Sequence, residues 1–158
     1  MNINSSFSHR SKEPESGVLY VVGTPIGNLN DITLRAINIL KNCSIILCED
    51  TRTTKKLLNK LEISNNLISL NDHNTNSRLS FVLSELSKGK SLALVSESGT
   101  PLISDPGEIL VKELRNKNYD VISIPGPCAP ISALVSSGFP CSKFIFYGFI
   151  PKFSKERK

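Results

Sequence analysis

Residues 91–107 read SLALVSESGTPLISDPG, and the way this stretch divides decides the fold. Ser91–Val95 is a short, nearly continuous apolar run, the pattern of a strand buried on both faces of a sheet. The twelve residues from Ser96 to Gly107 then hold two Gly, two Pro and two acids before a helix begins. A plain strand-to-helix connection takes roughly 2–6 residues. A longer one, stiffened by Pro101 and Pro106 and freed at Gly99, is the kind that forms around a ligand.

The same division recurs on either side. Val18–Val22, Ser44–Cys48, Leu67–Leu70 and Val121–Ile124 are further strand-type runs. Helical spacing of apolar residues predicts helices over Asp31–Lys41, Thr54–Leu61, Ser77–Lys88, Gly107–Lys117 and Ala129–Ser137, with Ser77 as an N-cap and Gly89 as a stop. Five strand–helix units imply crossover connections, so the expected fold is a five-stranded, mostly parallel, doubly wound α/β sheet. Residues 1–16, rich in Ser, Asn and Glu, read as a disordered lead. Phe144–Ile150, FIFYGFI, reads as one more strand.

Composition narrows the class. The 158 residues are 39% hydrophobic and 21% charged, with a net charge of +5, which suits one soluble domain and excludes wholesale disorder. No apolar run approaches the roughly 18–20 residues of a membrane span, and MNINSSFSHRSKEPESG has no secretory core. The pI near 9.1 points toward nucleic acid. Yet the last eight residues, PKFSKERK, carry +3, leaving +2 for residues 1–150. Cys43, Cys48, Cys128 and Cys141 form no CxxC pair and His9 and His73 stand far apart, so no zinc site is expected and a reduced, cytoplasmic setting is. Cys43 and Cys48 read as core residues.

In an open α/β sheet, ligands sit beyond the carboxyl ends of the strands. The loop after the first strand, Gly23-Thr-Pro-Ile-Gly-Asn-Leu-Asn30, lacks the G-x-G-x-x-G of a dinucleotide site, and nowhere does the chain hold GxxxxGK[ST]. Glu49-Asp-Thr-Arg52 places two carboxylates and a guanidinium at a strand end. Its plainer reading is that Asp50 or Thr51 caps the next helix and pairs with Arg52. Asn71-Asp-His-Asn74 offers His73, either a general base or an ordinary loop histidine. Pro125-Gly-Pro-Cys-Ala129 is a stiff turn with small residues at a helix start, a further wall for a pocket.

Taken in order, VGTPIGNLNDIT, EDTR, NDHN, SESGTPLISDPG, PGPCA and GFIP resemble the small-subunit ribosomal RNA methyltransferase I family, from about residue 18 to the C-terminus. That resemblance implies a tetrapyrrole-methylase-like fold, S-adenosylmethionine as methyl donor, and 2′-O-methylation of a cytidine in 16S rRNA, usually by a homodimer. It also implies cofactor contacts at Pro25, Glu97, Gly99, Thr100, Cys128 and Ala129. The family pattern in the acidic loop is Ser-Asp-Ala-Gly-Thr-Pro, and here Glu97 and Ser98 replace its Asp and Ala. The implied division is a lead over 1–16, a donor-binding domain over 17–140 and the start of a second domain over 141–158. On this reading the chain is an N-terminal fragment with the second α/β domain largely absent. The alternative is a folded cofactor-binding remnant without turnover. A base is needed to take the ribose hydroxyl proton, and Asp50, His73 and Asp105 are the candidates, with Arg52 a candidate for holding phosphate or polarising the ribose.

Overall fold

The apolar runs pair as one parallel sheet. The computed structural model describes residues 12–149. In chain order its elements are β1 (Leu19–Val22), α1 (Leu34–Asn42), β2 (Ile45–Cys48), α2 (Thr51–Lys60), β3 (Leu67–Ser69), α3 (Thr75–Ser87), β4 (Leu92–Val95), α4 (Glu108–Asn116), β5 (Val121–Ile124) and α5 (Ala129–Ser136). The strand order is β3-β2-β4-β1-β5, and every pairing is parallel. The expected five-stranded doubly wound sheet is therefore the fold, and it is parallel throughout.

β1, β2 and β4 are wholly buried because each has neighbours on both edges and helices on both faces. Alternate residues serve opposite layers. Tyr20, Val22, Ile46, Cys48, Ala93 and Val95 pack beneath α1 and α2 with Ala36, Ile39, Leu40 and Leu58. Leu19, Ile45, Leu47, Leu92 and Leu94 pack beneath α3 and α4 with Val82, Leu86, Leu110 and Leu114. Cys43 and Cys48 are buried free thiols, as expected, and burial pushes the Cys43 thiol up to about 11.

Several boundaries move, each for a local reason. α1 starts at Leu34 rather than Asp31, because the Thr33 hydroxyl caps the Ala36 N–H at 3.1 Å and residues 29–31 form a separate 3-10 turn. α2 starts three residues earlier than its apolar spacing suggests, because Asp50 caps it. Ser77 is not the cap of α3. Asn71 and Asn74 exchange reciprocal side-chain bonds of 2.9 and 3.1 Å with each other's backbone N–H, and the helix begins at once with Thr75.

Two expectations fail. The described part of the supposed disordered lead is docked. Arg35 grips the Glu13 carboxylate with two hydrogen bonds of 2.6 and 2.7 Å, and Ser16 donates to the Gly89 carbonyl at 2.8 Å. An ion pair formed across twenty-two residues cannot be read from local composition. Residues 1–11 lie outside the described residues. The strand expected over Phe144–Ile150 is also absent: residues 144–149 are irregular and exposed, and Ile150 lies outside the described residues. An apolar run becomes a strand only with a backbone partner, and the sheet ends at β3 and β5 without reaching this segment. The basic stretch 151–158 is likewise outside the described residues.

Candidate functional site

Helices α1 and α2 cover one face of the sheet and α3 and α4 the other. Neighbouring β1 and β4 thus send their chains to opposite faces, and a crevice opens beyond their carboxyl ends. Two loops close the floor of that crevice. The Thr24 N–H donates to the Gly99 carbonyl at 2.8 Å, and the Gly99 N–H returns a bond to the Thr24 carbonyl at 3.0 Å. Gly99 sits at φ +82, a conformation that a side chain makes costly. The third loop joins through Thr100, whose hydroxyl donates to the Pro127 carbonyl at 3.0 Å.

The third loop comes close because glycines follow both strands, Gly23 directly after β1 and Gly126 two residues after β5. A Cβ on Gly23 would lie 3.0 Å from the Gly126 Cα, and one on Gly126 would lie 3.1 Å from the Gly23 Cα. β1 and β5 pair in register up to Val22 and Ile124, so the two backbones run on side by side into the loops.

The result is a cavity of about 60 Å³ lined by Gly99, Thr100, Asp105, Cys128 and Ala129 with Ile26 and Pro130. Cys128 is the N-cap of α5 yet makes no side-chain capping bond. Pro130 lacks an N–H, so the Ala129 and Ile131 N–H groups are the first-turn donors at the cavity edge.

Carboxylates crowd the other side. Burial pushes the Glu49 carboxyl above its usual range, and the charges of Glu97, Asp105, Asp72 and Asp50 push the same way. Burial also raises Asp105. The Ser96 hydroxyl works against that rise and the Glu97 charge adds to it. These acids stand together because β2, β3 and β4 end at one level, with Cys48 beside both Val95 and Ser69.

Of the residues singled out in the sequence, the structure gathers Gly99, Thr100, Cys128, Ala129 and Asp105 around one cavity. Pro25 follows Thr24 at its rim without lining it. Glu97 is exposed and acts on the site through its charge. Asp50 and Arg52 are engaged with each other. The Arg52 guanidinium and backbone N–H hold the Asp50 carboxyl down to about 2, with an ion pair of 2.8 Å, so the plainer reading of that loop holds. His73 is exposed in the turn before α3 and lines no described cavity. Glu49 and Ile26 lie within the quoted motifs but are not among the candidate site residues read from them. Only the strand order, which sets β2 beside β4, brings Glu49 against the acidic loop.

Residues 18–152 match the family described as Tetrapyrrole (Corrin/Porphyrin) Methylases. The chain is 50% identical over 140 residues to Ribosomal RNA small subunit methyltransferase I of Rickettsia prowazekii, covering 89% of this chain and 50% of that protein. It is 45% identical over 150 residues to the protein of that name from Escherichia coli O157:H7, covering 95% and 52%. The chain thus spans about half the length of these relatives. Among solved structures, uroporphyrin-III-C-methyltransferase from Thermus thermophilus is similar with a TM-score of 0.58 at 19% identity, over 80% of this chain and 54% of that one. Cobalt precorrin-4 methyltransferase is similar with a TM-score of 0.62 at 18% identity, over 77% and 50%. At such identities these two speak for the fold alone.

Proposed function

The chain belongs to the tetrapyrrole (corrin/porphyrin) methylase family, and on that premise we propose that it takes part in S-adenosylmethionine-dependent methylation of small-subunit ribosomal RNA, at the ribose 2′-hydroxyl of a cytidine in 16S rRNA. The name shared by its relatives supports the RNA substrate. The observation that carries the reading is the cavity where the loops after β1, β4 and β5 converge around Gly99, Thr100, Cys128 and Ala129. In this reading the donor-binding domain is 17–140, the enzyme works in the cytoplasm, and a homodimer is its working form.

The residues present fit part of such a donor. The cavity combines the backbone and small side chains of Gly99, Cys128 and Ala129 with apolar Ile26, Ile103 and Pro130, and no side chain caps the first turn of α5 beside it. At about 60 Å³ the cavity seats one portion only, since sites for whole ligands run to roughly 300–1,000 Å³. Gly99, Thr100, Cys128 and Ala129 would hold that portion, with Pro25 at its edge. When bound, the donor supplies a sulfonium methyl that leaves behind a neutral thioether.

The protein's own task is then alignment and one proton. Holding the hydroxyl in line with the methyl is worth roughly 7–11 kcal/mol. The proton goes to a carboxylate oxygen. Asp105 lines the cavity and its carboxyl is raised, so it suits a base working nearer neutrality better than Asp50, which is locked to Arg52. Glu49 keeps the same region anionic. Binding without turnover is a second reading, and the small size of the cavity favours it.

Calorimetry of the chain with S-adenosylmethionine tests both. Measurable affinity, abolished in Gly99→Val with the circular dichroism unchanged, supports the site. Equal affinity in that variant removes the Ser96–Gly107 loop from it. Added methyl transfer to small ribosomal subunits separates turnover from binding, and Asp105→Asn should then lower turnover about 10²-fold or more with donor affinity kept.

A further inference from the structure

Residues 12–149 hold fourteen Lys and Arg against thirteen Asp and Glu, a net charge of +1. Averaged over the surface, that offers a polyanion almost nothing. The charge is not averaged, however. Helix α2, TRTTKKLLNK, carries Arg52, Lys55, Lys56 and Lys60 and no acidic residue. Residues spaced by three, four and eight positions share one helical face. All four are exposed, while Thr54 and Leu58 turn to the core.

Helix α1 carries two cations, Arg35, which Glu13 engages, and Lys41, while α3 and α4 balance their charges. In α3, Glu85 pairs with Lys88 and Lys90. α4 alternates Glu108 and Glu113 with Lys112 and Arg115. On α2, Asp50 engages Arg52, but among the described residues no ion pair engages Lys55, Lys56 or Lys60. Glu62, just past the helix, is the nearest acidic residue that follows in sequence.

Beside this stripe runs a groove of about 350 Å³ between α2 and the edge strand β3, lined by Thr51, Arg52, Lys55, Asn65, Asn66 and Leu67. Five of its six lining residues, all but Leu67, carry hydrogen-bonding or cationic side chains. Asn65 is fixed there by bonds of 2.8 and 2.9 Å to the carbonyls of Leu40 and Cys43. Asn65 also accepts from the Asn66 N–H at 2.7 Å, so it shapes the wall, and the Asn66 amide, the Thr51 hydroxyl and the basic side chains are the kinds of group that contact sugar and phosphate.

We propose that the exposed face of α2, with the groove along β3, holds the phosphate backbone of the RNA substrate. The proposal rests on the RNA-methylation reading above for the kind of polyanion. Placement supports it. α2 begins at the carboxyl end of β2, directly after Glu49 and Asp50, so its first turn stands at the rim of the candidate site. From Lys55 to Lys60 the helix rises about 7.5 Å, so the cations are spread along the helix rather than gathered at one end. The acidic rim of Glu49, Asp72, Glu97 and Asp105 repels phosphate, and the stripe attracts it. Together they direct the backbone along α2 and leave the carboxylates to the ribose.

The test is fluorescence anisotropy of a labelled 20-nucleotide single-stranded RNA with the 158-residue chain between 50 and 200 mM KCl. Each phosphate contact on a single strand contributes a slope of about −0.7 in log affinity against log salt. The triple variant Lys55→Gln, Lys56→Gln, Lys60→Gln should flatten that slope by about 2 and weaken binding at 50 mM by about tenfold or more. A control triple on the opposite face, Arg78→Gln, Lys112→Gln, Lys117→Gln, removes the same charge and should stay within about twofold of the parent. Equal losses in the two triples would assign the effect to bulk charge and overturn the proposal. So would an unchanged slope in the α2 triple, or no RNA affinity in the parent chain. A labelled polyglutamate bound as tightly as RNA, and lost in the same triple, would make the surface a site for acidic protein instead. Calorimetry with S-adenosylmethionine runs in parallel: loss of donor binding with RNA binding kept would sink the functional reading and leave this surface standing.

Discussion

Single residues divide by whether the fold uses up their chemistry. Asp50 and Glu49 are sequence neighbours with opposite fates. Asp50 caps α2 and pairs with Arg52, which holds its carboxyl down to about 2. Glu49 has burial and like charges pushing it up, and Asp105 is raised in the same region. For a raised carboxyl, the folded state binds its proton more tightly than the unfolded chain does. The associated stability is fully present below the unfolded pKa and is lost as pH rises through the folded one. Glu49→Gln with Asp105→Asn should therefore raise the urea midpoint at pH 7.5, by on the order of half a kcal/mol once solvent screening is allowed for. Near pH 3.5 the gain should vanish, because the parent carboxyls are then protonated too. A double variant less stable than the parent at pH 7.5 would mean that these carboxylates are engaged rather than crowded. Asp50 has the opposite sign: its contribution is present at neutral pH and fades only as pH falls toward about 2.

At the scale of elements, the site depends on β1 and β5 continuing side by side past their last paired residues. Gly23 and Gly126 permit this, with backbone where side chains would otherwise stand. Gly23→Ala puts a methyl 3.0 Å from the Gly126 Cα, and backbone on both sides leaves little room to yield. The expected cost is about 1–3 kcal/mol by urea denaturation. Donor affinity should fall with it, because the Pro125–Ala129 turn is displaced from Thr100. An unchanged midpoint would show that the two loops adjust independently. The strands themselves were legible in the sequence, because Leu19–Val22, Ile45–Cys48 and Leu92–Val95 are apolar on both faces and nothing but a doubly covered strand suits them. Helix starts were less so. The Asn71–Asn74 exchange and the Asp50 cap are polar contacts that apolar spacing does not register. The loops were recognisable as a set, yet Glu49 joins the site only through the β2–β4 neighbour relation, and strand order leaves no mark on local sequence. The Glu13–Arg35 pair was illegible for the same reason.

For the molecule as a whole, the two faces of the sheet are covered but the C-terminal side of β5 is not. α5 has no buried residue. Beside it Phe139, Phe144, Ile145 and Phe146 edge a groove of about 350 Å³ with Pro130, Ala133 and Leu134. Ile145, Tyr147 and Phe149 are 75%, 89% and 85% exposed. Scattered apolar residues on a surface are ordinary, but a contiguous aromatic stretch of this kind adheres to whatever apolar surface it meets. The 158-residue chain by itself should accordingly self-associate. Size-exclusion chromatography at rising concentration should show a growing species larger than a monomer. Ile145→Ser with Phe149→Ser should shift the profile toward monomer without changing the unfolding midpoint, because neither side chain belongs to the two core layers. The separation of those two readouts is what makes the test informative. A fall in stability would place the segment in the folding unit, whereas a monomeric parent at high concentration would show that residues 139–149 are satisfied within one chain. Self-association through this face also predicts no loss of RNA affinity, since α2 lies at the opposite side of the sheet, beyond β2 and beside β3, four strand positions from β5.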